Sequence, residues 1–261
     1  MKYLRLFEDF EKYLKPLGKL ERTGDFSYDP YELMMISPQK KAEMIMKECE
    51  FEHPNLDLIR DLVALGADLE FYSETLGMPL RSAVFYGKLE VVKILLDGGA
   101  SLDSPFLHVA ILRGYKAIFK LLLEAGADPN TFNHNNETPL HVAARYTRDI
   151  EVFRLLLEAG ANPNVKDAFT LTPLHHVTLV DLRDAVLLLL KYGADINAQE
   201  KDGETALHMA IFNGYHDLVK LLLEKGADPY IVGRRGKNAF ELAEKESPRR
   251  TIRLLDEYKK G

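Results

Sequence analysis

The chain has 261 residues, 46% of them apolar and 28% charged, with a formal charge of −6 and a pI near 5.8. That much apolar material excludes a disordered chain, and the acidic balance argues against phosphate-backbone binding, which rests on clustered Lys and Arg. A single cysteine, Cys49, forbids an intramolecular disulfide, no apolar run approaches the eighteen or so residues that span a bilayer, and Glu8, Asp9 and Glu11 interrupt any signal-peptide core, so a cytoplasmic protein is expected.

At the N-terminus, Tyr3, Phe7, Phe10, Leu14 and Leu17 recur at steps of four and three with acidic residues between them. The spacing predicts an amphipathic helix over 3–15, stopped by Pro16 and Gly18. Its apolar stripe is expected to cover the open end of the array that follows; a second copy of the chain is the competing destination. Thr23 to Ser37 reads as an irregular connector that packs down, which makes 1–37 an N-terminal region distinct from the rest.

From residue 38 to 261 the chain is periodic. The pair Gly-Ala recurs at Gly66, Gly99, Gly126, Gly160, Gly193 and Gly226, at steps of 33, 27, 34, 33 and 33 residues, each time ending a Leu- and Val-rich run. Self-similarity at this period means units that bury their apolar faces only against their neighbours, in a solenoid. The unit from Asn136 to Gly160 shows the plan. Thr138 suits an N-cap and Pro139 the first helical position, and Leu140, Ala143 and Ala144 make the apolar stripe of a short first helix. A second helix follows in Ile150, Val152, Phe153, Leu155, Leu156 and Leu157, closed by the left-handed conformation that Gly160 supplies.

These residues, Thr138-Pro139-Leu140-His141 with Ala143, Ala144 and the later Gly160-Ala161, resemble the ankyrin repeat. The signature returns at Thr172-Pro173-Leu174-His175 and Thr205-Ala206-Leu207-His208, and more weakly at Met78-Pro79-Leu80 and Phe106-Leu107-His108. The resemblance implies an all-α repeat solenoid of about seven helix-turn-helix units joined by β-hairpin-like fingers. The first unit, 38–71, is degenerate, with Met46 and Cys49 in the Leu and Ala slots, and the last, 236–261, is a charged cap. Basic residues outnumber acids nine to five from Ile231 onward, as suits a wet outer face.

The chain departs from the pattern in the middle. Fourteen residues separate each Gly-Ala glycine from the next first-helix Leu or Phe, but only eight separate Gly99 from Leu107, so the finger near 100–106 is shortened and the finger edge carries a notch. An extra residue at Tyr146-Thr147-Arg148 displaces the glycine that usually separates the paired helices, and Asp181 replaces it in the next unit.

His108, His141, His175 and His208 share one slot, and the family resemblance makes that slot a structural hydrogen-bonding position beside the Thr cap. Stacked helices lie about 8–10 Å apart, whereas zinc ligands lie about 2 Å from the metal, so this row is badly placed to chelate. His176, about 100° round the helix from His175, is expected at the surface. No metal site, cofactor site, nucleophile elbow or phosphate loop is predicted, and the chain reads as a non-enzyme. The expected activity is the binding of a protein partner, as adaptor, inhibitor or effector, with neither nucleic acid nor membrane as partner. A monomer is expected; self-assembly through the N-terminal helix is the alternative.

Carried over from the family, the partner contacts are the two residues before each inter-helix glycine together with the fingertips. They are Phe85 and Tyr86, Leu112 and Arg113, Arg145 and Tyr146, Leu179 and Val180, and Phe212 and Asn213, with Tyr72, Phe132 and Phe169 on the fingers. Solvent alone would favour polar side chains there, whereas aromatic residues and Arg concentrate binding energy at interfaces.

Overall fold

The computed structural model describes residues 30–75, 77–103, 105–246 and 249–260. The helix expected over 3–15 lies outside the described residues, as does the connector up to residue 29.

The connector's last part is not irregular. Pro30–Met35 forms a short helix, α1, which a proline at its first position and Glu32 in its first turn favour, and Leu33 packs into the core. Seven helix pairs follow: α2 (Pro38–Glu50) and α3 (Leu56–Ala64), α4 (Pro79–Phe85) and α5 (Leu89–Asp97), α6 (Phe106–Arg113) and α7 (Lys116–Glu124), α8 (Pro139–Tyr146) and α9 (Ile150–Glu158), α10 (Pro173–Leu179) and α11 (Arg183–Lys191), α12 (Ala206–Phe212) and α13 (His216–Glu224), and α14 (Ala239–Glu246) and α15 (Arg249–Lys260). The first helix of each pair packs on the first helix of the next, and the second helices stack the same way through most of the array. The result is an inner and an outer layer enclosing one continuous apolar spine from Leu33 to Leu255. Phe106, Phe119 and Phe153 are its largest fully buried side chains, and truncating such a residue to Ala costs about 3–5 kcal/mol.

The local rules that build each pair are visible in the fourth unit. Pro139 opens α8 where no amide donor is needed, and at the far end of α9 Ala161 N–H donates to Leu156 C=O at 2.9 Å across Gly160. An added Cβ on Gly160 would meet nothing within 4 Å, so the demand for glycine comes from its φ of 91° rather than from crowding. Asp181 adopts the same left-handed backbone, φ 51°, where other units have glycine.

The fingers are turns rather than strands among the described residues. Asn133 N–H donates to Glu137 C=O at 3.0 Å, and Asp167 to Leu171, Glu200 to Glu204 and Gly233 to Lys237 repeat that closure. The connector after Gly99 has no such loop, as its length requires. Ala100 is buried, and Leu102 packs against the core. The shortening also breaks a ladder that ties successive units. Asn130, Asn164 and Asn197 each accept from the backbone of the next unit's turn, at 2.8, 2.7 and 2.8 Å. Asp103, in the corresponding position, instead accepts from Ser101 Oγ in its own turn at 2.7 Å.

Candidate interaction face

In the ankyrin arrangement that the sequence resembles, the first helices and the fingers line the concave side, where the contacts expected from sequence fall. Phe212, Phe169, Tyr72 and Tyr146 are the most open of these aromatics, at 66, 63, 60 and 57% exposure, and Phe132 and Leu112 are half exposed. Phe51 and Tyr230 are as open elsewhere, so what distinguishes these rings is their recurrence at equivalent positions of successive units. Phe85 and Tyr86 meet edge to face, centroids 5.2 Å apart, and the Arg113 guanidinium lies 4.0 Å over the Phe85 ring. Leu179 is exposed, whereas Val180 is half-buried against the core, and Asn213 turns its Nδ2 back to Met209 C=O at 2.8 Å. Those last two offer a partner less than their neighbours do.

Fingers are also braced against one another. Lys166 Nζ donates to Gln199 C=O at 2.7 Å, and Gln199 Nε2 reaches Gly203 C=O at 2.8 Å and Val232 C=O at 3.3 Å. Phe169 is held at the tip of a loop whose next residue, Thr170, has φ 65° and a buried hydroxyl without a hydrogen bond. A β-branched residue in this region is strained; the next two fingers place Gly203 and Gly236 there.

The histidine row does what its slot implies. His141, His175 and His208 each lie with Nδ1 2.8 Å from the hydroxyl of the Thr cap three residues earlier. In the fourth unit Nδ1 also accepts from Thr138 N–H, which leaves the proton on Nε2 to donate to Leu171 C=O of the next finger at 3.1 Å. Burial lowers the pKa of His141 and pushes His175 down to about 4. The His141 ring thus pins its unit to the next finger, whereas Nε2 of His175 and of His208 is buried without a hydrogen bond.

His176 is not at the surface. It is buried and donates Nε2–H to Asp167 Oδ2 at 2.7 Å, with its ring edge-on to His141 at 5.7 Å. Asp167 uses its other oxygen to accept Phe169 N–H at 2.8 Å and Leu171 N–H at 3.0 Å, so one carboxylate both closes the finger and holds the ring. Burial alone would raise the Asp167 pKa, but the bonds from His176, Leu171 and Phe169 outweigh it and hold the carboxyl below its usual range. Next to this pair, Glu137 is buried and binds Asn133 Nδ2 at 3.0 Å and the Arg145 guanidinium. Sequence reasoning missed both pairs. Asp167 nine residues before His176 was the available signal, but only one unit carries it.

Cys49 is buried, and desolvation pushes its thiol up to about 12, which makes it inert. Among the described residues no cluster of His, Cys, Asp and Glu could hold a metal ion, and no helix is long and apolar enough to cross a membrane.

A family model described as ankyrin repeats (3 copies) matches residues 45–133, 80–167 and 140–233, which together cover most of the chain. The chain belongs to the ankyrin repeat family. Among curated ankyrin relatives, the fowlpox virus (strain NVSL) ankyrin repeat protein FPV031 is 31% identical over 107 residues, 37% of this chain and 31% of its own length. Human ankyrin repeat and SOCS box protein 3 is 30% identical over 95 residues, 33% of this chain and 18% of its own, and the E3 ubiquitin-protein ligase KEG of Arabidopsis thaliana is 35% identical over 110 residues, 40% and 7% respectively. The similarity therefore spans less than a third of each of these relatives, and ankyrin repeats generally mediate protein–protein interaction.

Proposed function

We propose that this ankyrin array is a non-catalytic module that binds a protein partner on its concave face, through the strip from Phe85 to Phe212 and the finger aromatics Tyr72, Phe132 and Phe169. The observation that carries the reading is the recurrence of exposed large rings at equivalent positions of successive units. Leu112, Arg113, Arg145, Tyr146, Leu179, Val180 and Asn213 complete the strip, with Val180 and Asn213 at its edge. The braced fingers and the His141 pin support a preformed surface, and rigidity lowers the ordering cost of association. A reducing, cytoplasmic setting fits the single buried thiol. Replacing Tyr86, Tyr146 and Phe212 together by Ala tests the placement. Partner recovery by crosslinking from the native source is expected to fall to background while the melting temperature stays within about 2 °C. Normal recovery by the triple variant would refute the placement.

A further inference from the structure

The five central inner helices, α4, α6, α8, α10 and α12, contain Arg81, Arg113 and Arg145 and no Asp or Glu, whereas every outer helix they pair with carries an acid. In a chain of net charge −6, these five inner helices therefore form a locally basic strip, as does the segment from Ile231 onward. Arg145 is accounted for by Glu137, which its own finger supplies. Arg81 and Arg113 are not. Gly77 stands in the second unit where Glu137 stands in the fourth, and the shortened connector after Gly99 sends no finger carboxylate toward Arg113. Among the described residues neither guanidinium has a carboxylate within ion-pair distance.

Arg81 lines an opening of which Phe85, the ring under Arg113, is a wall. A cavity of about 230 Å³ lies in the angle between the second unit's finger and α4, lined by Tyr72, Glu74, Arg81, Phe85 and Tyr86 among others. Phe85 is the shared wall, with the cavity on it and the Arg113 guanidinium stacked 4.0 Å from its centroid. A guanidinium held over a ring keeps N–H donors for a carboxylate, and taking one here displaces no carboxylate already bound.

We propose that this notch docks an acidic peptide segment of the partner, with one bulky apolar side chain entering the cavity between Tyr72 and Phe85 and flanking carboxylates taken by Arg81 and Arg113. This deepens the concave-face reading above and rests on it. Charge complementarity selects the occupant: the basic inner layer opposes an acidic segment, while the apolar wall calls for a hydrophobic anchor beside it. A nucleic acid fits less well, because two free arginines do not make the clustered basic track that a phosphate backbone needs.

The test is selection of a phage-displayed random peptide library on the immobilised full chain, with enriched peptides synthesised and measured by fluorescence anisotropy. Enriched sequences are expected to place Asp or Glu beside an aromatic or branched apolar residue. Their Kd should rise about ten-fold on Arg81→Gln with Arg113→Gln, fold being checked by circular dichroism. Replacing the peptide's carboxylates by amides should cost the same factor, with no further loss when both changes are combined. Neutral or basic enriched peptides, no enrichment, or an affinity indifferent to the arginine pair would overturn the proposal, as would tighter, arginine-dependent binding of an oligothymidylate. Peptides that ignore the arginines but are lost on Tyr146→Ala with Phe212→Ala would sink the notch assignment alone; insensitivity to all four positions would sink the concave-face reading as well.

Discussion

The fourth and fifth units and the second and third units put the same kinds of side chain to opposite uses. In the former, fingers of full length deliver Glu137 to Arg145 and Asp167 to His176, so the charges are satisfied inside the array. In the latter, Gly77 and a truncated connector deliver nothing, and Arg81 and Arg113 stay open beside Phe85. An arginine on the concave face is thus structural or available according to what its neighbouring finger contributes, not according to its own position.

That contrast can be broken by substitution. Asp167→Ala removes three hydrogen bonds and strands the buried His176 ring, and is expected to cost about 3 kcal/mol in urea unfolding. A cost under about 1 kcal/mol would mean the middle of the array is not sealed in this way. Acid should act on the same units. Burial holds the folded His175 ring down to about 4, below the ordinary imidazole value of 6.5, so the unfolded chain takes up the proton first. Stability is then complete above pH 6.5, is lost as the pH falls from there to about 4, and levels off below, an effect on the order of 3 kcal/mol for this ring. His108, His141 and His176, also lowered chiefly by burial, push the same way. Thermal melts across that window should show the drop, and His175→Gln should flatten it.

Smaller effects sharpen the comparison. Thr170→Gly relieves a left-handed β-branched residue and is expected to add about 1 kcal/mol, read from the same urea curves. Arg81→Ala in the notch should leave stability within about 0.5 kcal/mol. A large loss there would show that the notch arginine has a structural partner after all.

What could be read from sequence follows from repetition. The Gly-Ala turns, the Thr caps and the histidine slot recur in several units, so periodicity announces the helix pairs, and a single short interval exposes the missing finger at Ala100. The satisfied polar pairs occur once each. His176 looks like a surface residue because its helical neighbour His175 occupies the buried slot, and nothing in the other units shows that Asp167 folds back over it. Likewise nothing in the sequence shows that Glu137 lies against Arg145, and Pro30–Met35 is too short for periodicity to register. Exposure of Tyr146 and Phe212 follows from register alone, because the faces of a repeat are set by its stacking.

The concave rings, rather than the outer helices, are expected to meet the partner. Site-specific photocrosslinking addresses this most directly, with p-benzoylphenylalanine placed in turn at Tyr146, at Phe212 and at Leu187, an exposed residue of the outer helix α11. The account predicts a crosslinked partner from the first two positions and none from the third; adducts from Leu187 with silence at Tyr146 and Phe212 would contradict it.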